Sequence, residues 1–262
     1  LGPNGDDSFI KPDIAAPGVG ILSSTSSEDT SSPNLEYARL NGTSMASPAV
    51  AGAAALLKQH SPELNALEIK SILINSSDAV VKNTTGVQNA NAFETGAGRL
   101  NVFNALQATT YAQKPNMAAK YCVLNCSVTN QLISLSNNTN TWSATVVFDD
   151  ANITGEVVPS TLTLSETNKA ASYSLNVNAP LTLEQDWYFG RIQWRDGQGN
   201  IINQAVAISN QQTSSELLKL TLDNVSSTTK SISLISNNIT SDEKIEVDLT
   251  ISGGASFVDN SL

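Results

Sequence analysis

Hydrophobic positions follow two different patterns along the chain, and the pattern changes near residue 112. Before that point, stretches with helical spacing alternate with short apolar runs, whereas beyond it apolar and polar residues mostly alternate one by one. The clearest alternation covers residues 142–148 and 171–177. Such alternation, broken by turn-rich spacers like DGQGN at 196–200, is typical of half-buried antiparallel strands. We therefore predict an all-β sandwich over residues 113–210.

The same alternation returns at residues 245–251. Residues 211–262 have room for about three strands, which is fewer than a free-standing sandwich needs. We therefore expect this stretch to be the start of a further β domain that is cut short at Leu262.

Residues 1–112 carry an α/β pattern. An apolar run at 19–22 predicts a buried strand, residues 37–40 predict a second strand, and residues 44–59 predict a helix. Asn65 with Glu68 three residues later predicts a capping box and a second helix that ends at Asn75. Gly96 and Gly98 predict a tight turn before a short helix capped by Asn101.

The helix predicted at 44–59 is rich in alanine and glycine and carries no charge before Lys58. A surface helix has a charged face, so we expect this one to be buried. Ser44 stands at its first turn, where free backbone N–H groups and the helix dipole favour negative charge. Gly42 leaves room for a substrate backbone to approach. Ser44 is therefore a candidate nucleophile, although a serine at this position can also serve merely as a helix cap.

The stretch NGTSMASPAVAGAAALL, residues 41–57, resembles the nucleophile motif of the subtilisin-like serine proteases, the subtilases of peptidase family S8. The resemblance continues in GPNGDDSFIKPDIAAPGV and in TGAGRLNVFNAL, so the three segments span residues 2–106 in the family's order. It implies a parallel sheet around a buried central helix. It also implies that Ser44 is the acylating serine, with Gly42 and Thr43 near the substrate and the oxyanion. Ala49 stands where many members carry histidine.

The stretch WYFGRIQWRDGQGNIINQAVAIS, residues 187–209, is similar to the end of the fibronectin-III-like domain that follows the catalytic domain in large secreted subtilases. We therefore divide the chain into three parts. Residues 1–112 are the C-terminal portion of an incomplete catalytic domain, 113–210 are the fibronectin-III-like sandwich, and 211–262 are the start of a further β domain.

The residues that would activate Ser44 are not found in this sequence. The resemblance implies an Asp and then a His before the serine, but no histidine precedes Ser44 and the sole histidine is His60. Along a continuous helix His60 lies roughly 24 Å from Ser44, whereas a general base must come within about 3 Å. We therefore expect the protein to be a secreted serine endopeptidase by family. We also expect the 262-residue chain to be inactive on its own. The alternative is a β-sandwich adhesion or binding protein with a vestigial protease domain.

Composition narrows the range of partners. With 24 acidic and 14 basic residues the net charge is −10, which argues against nucleic acid and anionic membranes as partners. No apolar run reaches the length of about 18 residues expected of a membrane span. A protein or peptide substrate is what the resemblance implies. The chain opens with Leu1 and without a leader, so we expect the natural start and a signal peptide to lie before it.

Two further features leave alternatives open. Cys122 and Cys126 could close a small disulfide ring or remain free thiols, and two cysteines are too few for a zinc site. Calcium is implied only by the resemblance, and no metal ligands are predicted, since adjacent acidic residues are more typical of solvated turns. The acidic pairs are Asp6 with Asp7 and Asp149 with Asp150. Glycosylation triplets begin at Asn83, Asn152, Asn224 and Asn238, and we expect most of them to be unused.

Overall fold

The computed structural model describes residues 10–24, 37–79, 81–82, 90–119, 122, 125–179 and 187–209, together with the backbones of 219–222 and 248–251. The chain forms two compact units, residues 1–210 and residues 211–262. In the second unit, strands Lys219–Leu222 and Asp248–Ile251 pair in parallel. The predicted acidic pair Asp6 with Asp7 and the glycosylation triplets at Asn83, Asn224 and Asn238 lie outside the described residues.

The first half of unit one contains helices and one short ladder. Its helices are α1 (Thr43–His60), α2 (Ala66–Asn75), α3 (Ala92–Thr95) and α4 (Val102–Leu106). The strands β1 (Ile21–Ser24) and β2 (Tyr37–Leu40) pair antiparallel. Asparagine side chains cap three helix starts, because an amide oxygen can accept the free N–H groups of a first turn. Asn65 and Asn91 form full capping boxes with Glu68 and Glu94, and Asn101 caps α4.

Two predictions for this half are wrong for the described residues. The described ladder β1–β2 is antiparallel, and the parallel sheet stays a prediction. Val19 and Leu22, which were expected in a buried strand, are exposed. The helix α1 is not buried all round either, because Ala53 and Leu57 are its only fully buried residues, while Val50 and Ala54 are partly buried. The physical reason is that α1 packs chiefly against α2 and α4, which cover one face only.

The second half of unit one is a sandwich of two sheets. Its strands are β3 (Thr110–Ala112), β4 (Met117–Ala119), β5 (Asn125–Ser134), β6 (Asn140–Phe148), β7 (Thr154–Val158), β8 (Thr161–Leu164), β9 (Ala170–Asn178), β10 (Tyr188–Asp196) and β11 (Ile201–Ile208). One sheet has the order β3-β5-β9-β7 and the other β4-β11-β10-β6-β8. All pairs are antiparallel except β11 with β4.

The sandwich core lies between these sheets, where the predicted alternation places the apolar side chains. Trp142 and Trp194 are buried from the second sheet and Tyr173 and Leu175 from the first. The rings of Tyr173 and Trp194 meet edge to face, with centroids 4.9 Å apart. Cys122 and Cys126 form a disulfide at the start of β5, which decides between the two alternatives left by the sequence.

The helical half and the sandwich share a packed interface. Phe93 of α3 meets the rings of Trp187 and Phe189 edge to face, with centroids 5.1 and 4.9 Å away. Ala205 and Ala207 of β11 pack in the same cluster. The helix α2 also packs against β3 and β11. The two halves are therefore joined by side-chain packing as well as by the chain itself.

Candidate active site

Ser44 is the second residue of α1, and it is exposed. The helix begins after Gly42, whose φ of 152° is rarely adopted by residues with a side chain. The Gly42 carbonyl accepts hydrogen bonds from the backbone N–H groups of Met45 and Ala46, at 3.0 and 3.3 Å. These contacts place the side chain of Ser44 at the helix tip, where it is open to solvent.

The turn before α1 is held by the segment at residues 18–20. The Gly42 N–H donates to the carbonyl oxygen of Gly18 at 2.7 Å, and the Gly20 N–H donates to Oδ1 of Asn41. Nη1 of Arg39 donates to the carbonyl of Gly20 at 2.8 Å. The loop and the helix start are therefore one connected hydrogen-bonded structure.

The electrostatic setting of Ser44 comes from the helix end. No side chain caps the first turn of α1 and no acidic residue stands in it. Among the described residues, none accepts a hydrogen bond from the backbone N–H of Ser44. A donor left free at the positive end of a helix dipole can stabilise an oxyanion that forms beside it.

A general base is missing from this arrangement. His60 is exposed at the opposite end of the 18-residue helix. Within the part of the chain that the structure describes, no side chain is hydrogen-bonded to the hydroxyl of Ser44. The structure thus brings Gly42, Thr43 and Ser44 together at one exposed tip and keeps His60 away from them.

Two acidic residues of the helical half have structural partners. Asp13 accepts from Lys11 at 2.6 Å and pairs with Lys70 at 3.2 Å. The Asp78 carboxylate pairs with Arg99 at 2.7 Å and accepts from Asn101 at 2.8 Å. These contacts lower the pKa of Asp78, the bond from Asn101 most of all and those from Arg99 next.

Sequence reasoning missed the supporting role of Gly18 and Asn41. A Cβ at Gly18 would lie 2.7 Å from the Gly42 carbonyl oxygen, so this position excludes other side chains. The Gly-Val-Gly spacing at 18–20 is the signal that could have indicated a close backbone approach. The hydrogen bond from the Gly20 N–H to Asn41 has no local sequence signal.

Metal-ligating groups do not converge in the described residues, where no set of three or more His, Cys, Asp or Glu side chains could hold an ion. Burial raises the pKa of Asp149, opposed by the charge of Arg191. Oδ1 of Asp150 accepts the backbone N–H of Asn152 and closes the turn after β6. Among the described residues, no helix has the length and apolar character to cross a membrane.

Comparison with known proteins identifies both halves of unit one. Residues 2–98 match the subtilase family, and residues 114–208 match a fibronectin type-III domain. The resemblances drawn from the sequence motifs are thereby confirmed, and the chain is multidomain.

Individual subtilases show how far the similarity extends. The minor extracellular protease Vpr of Bacillus subtilis is 40% identical over 107 residues, which are 41% of this chain and 13% of that protein. The subtilisin-like protease SBT3.3 of Arabidopsis thaliana is 25% identical over 252 residues, 77% of this chain and 32% of that protein. The chain therefore spans about a third or less of the length of these relatives.

Similarity to solved structures is slight. The MSP family member WR4 of C. elegans covers 39% of this chain and 99% of its own, with a TM-score of 0.29 and 10% identity. A score at that level supports no inference about fold or function.

Proposed function

We propose that the whole protein is a secreted serine endopeptidase of the subtilisin type in which Ser44 is the nucleophile. One observation carries the proposal: the serine of a subtilase motif stands exposed at the uncapped start of α1. A buried serine, or one that capped the helix, could not reach a substrate. The extracellular relative Vpr supports secretion.

The chemistry follows from the position of this hydroxyl. Oγ of Ser44 attacks the carbonyl carbon of a peptide bond while its proton passes to a base. The negative charge that develops on the carbonyl oxygen is stabilised by the free N–H of Ser44. Collapse of the tetrahedral intermediate breaks the C–N bond, the protonated amine leaves, and water then hydrolyses the acyl-enzyme.

The chain contains no histidine that could be this base. None precedes Ser44, and His60 stands about 24 Å away along α1. We therefore propose that the 262-residue chain alone does not hydrolyse peptide bonds at a measurable rate, and that the protein as it exists in its source does.

The fold proposed for the whole catalytic domain is a parallel sheet around α1 as central helix. Support comes from α1 itself, which has no charged residue from Thr43 to Leu57. A helix that is apolar on all faces is generally surrounded by protein. The sandwich would position this catalytic domain or contact the substrate.

Peptide hydrolysis by the protein isolated from its source tests the proposal. Replacing Ser44 with alanine is expected to lower kcat by more than about a thousandfold. Ser47 lies one turn further along α1 and is also exposed, so Ser47→Ala is a matched control that should retain activity. Full activity in Ser44→Ala would contradict the role of Ser44, and no activity in the unaltered protein would favour the binding-protein alternative.

A further inference from the structure

Asn75, the last residue of α2, joins the helical half to the sandwich. It is 1% exposed. Its Oδ1 accepts the backbone N–H of Ala112 at 2.8 Å, and its Nδ2 donates to the carbonyl oxygens of Pro115 and Asn203, both at 3.0 Å. Oδ1 and both protons of the side-chain amide are thus used within unit one. This side chain of α2 is therefore hydrogen-bonded to three backbone groups in or between strands of the sandwich.

A side chain of the sandwich also donates a hydrogen bond to the backbone just after α2. Nδ2 of Asn203, a residue of β11, donates to the carbonyl of Ser77 at 2.8 Å. Oδ1 of Asn203 accepts from Gln193 of the neighbouring strand β10 at 2.8 Å. Asn203 is 6% exposed, so water competes little with these bonds. Asn203 is therefore fixed within its own sheet while it donates to the backbone that follows α2.

The other side of α2 supports the helix that carries Ser44. Ala53 and Leu57 of α1 pack in one cluster with Ile69 and Ile72 of α2. The cluster also contains Tyr111 of β3, whose hydroxyl donates to Glu68 at 3.1 Å. Because α1 packs chiefly on α2 and α4, its position depends on where α2 is held.

We propose that Asn75 is a positioning residue through which the fibronectin type-III sandwich fixes α2 and, through α2, the helix that presents Ser44. Its importance for catalysis rests on the proposed function of Ser44. The proposed dependence of α1 on Asn75 does not rest on that function, because it concerns only how firmly α1 is held. A nucleophile has to be held within about 0.5 Å of its productive position, so a loosened α1 would lose rate even with Ser44 intact.

Hydrogen exchange of backbone amides in the 262-residue chain tests this link. Asn75→Ala leaves the Ala112 N–H and two carbonyls without their partner, and we expect exchange in α1 to rise at least about fivefold. Exchange in β9, in the sandwich core, should change less. Val157→Ala is the control, because it removes apolar packing from β7, which contacts β6 and β9. It should accelerate exchange in β9 and leave α1 unchanged.

A second variant keeps the test decisive if Asn75→Ala does not fold. Asn203→Ala removes the bond to Ser77 from the sandwich side and should also accelerate exchange in α1. Unchanged exchange in α1, or an equal rise in α1 and β9, would overturn the proposal. Either result would leave the role of Ser44 standing, since peptide hydrolysis tests that role separately.

Discussion

The carbonyl oxygen of Gly18 accepts the backbone N–H of Gly42 at 2.7 Å, two residues before Ser44. The approach is so close that a side chain on Gly18 would meet Gly42 and Ala46. The start of α1, and with it the direction of the candidate nucleophile, is therefore set by a contact between two glycines that lie in different segments of the chain.

Gly18→Ala should disrupt this contact. The added Cβ would lie 2.7 Å from the Gly42 oxygen, and we expect a loss of about 1–3 kcal/mol in the free energy of unfolding. Urea denaturation measures the change. Gly197→Ala is the control, since a Cβ there meets nothing within 4 Å, and it should stay within about 0.5 kcal/mol. Equal effects at both positions would contradict the close contact.

Gly52→Ala should have the opposite effect. Gly52 lies inside α1, and a Cβ there meets nothing within 4 Å. Alanine restricts the unfolded chain, so the 262-residue chain should gain about 0.5–1 kcal/mol in a urea titration. A loss of stability would show that this face of α1 is closely covered in solution.

Alkaline pH should weaken the contact between β3 and α2. Burial, followed by the charge and hydrogen bond of Glu68, raises the pKa of Tyr111 from 10.0 to about 12. The neutral phenol is therefore favoured in the folded state, and its stabilising contribution is complete below pH 10 and is lost as the pH rises through about 12. The free energy of unfolding between pH 9 and 11 should fall less steeply in Tyr111→Phe. Identical slopes would argue against the buried phenol.

Acid should weaken the contact between Asp78 and Arg99. The folded pKa of Asp78 lies below its ordinary value of 3.8. The contribution of its carboxylate to the free energy of unfolding is therefore present above pH 3.8 and is lost as the pH falls through the lower folded value. Asp78→Asn should reduce stability at pH 7 and flatten its decline toward pH 2. NMR titration of the Asp78 carboxyl checks the shift directly, and a pKa at or above 3.8 would refute it.

The disulfide between Cys122 and Cys126 should stabilise the sandwich. A ring this small restricts the unfolded chain by about 2 kcal/mol on a loop-entropy estimate. The double variant Cys122→Ala/Cys126→Ala should lose at least that much, because Cys122 is also fully buried. Adding a reductant should destabilise the unaltered chain and leave the double variant unchanged. Two free thiols in a non-reduced sample would contradict the bond.

Local signals in the sequence predicted the parts of the fold that depend on local chemistry. Asn65 and Asn101 start α2 and α4 as expected, because capping needs only neighbouring backbone groups. Alternation at 142–148 predicted β6, with Trp142 facing the core and Ser143 facing solvent.

Features that depend on distant contacts could not be predicted in this way. The burial of α1 was overestimated, because its composition does not show which elements cover it. The bond of Asn75 to Asn203 joins residues far apart in sequence, and the sequence indicated only that α2 ends near Asn75. The exposed position of Ser44 follows from the start of α1, but its hydrogen-bonded support at Gly18 was visible only in the structure.

Covalent labelling at Ser44 tests the central claim most directly. The protein isolated from its source and the 262-residue chain are treated with a fluorophosphonate, and the modified peptide is located by mass spectrometry. We expect one label per molecule on Ser44 in the former, none in its Ser44→Ala variant, and no rapid labelling of the 262-residue chain. Failure of Ser44 to label in the protein from its source would contradict its role as nucleophile. Rapid stoichiometric labelling of the 262-residue chain would contradict the conclusion that this chain contains no base for Ser44.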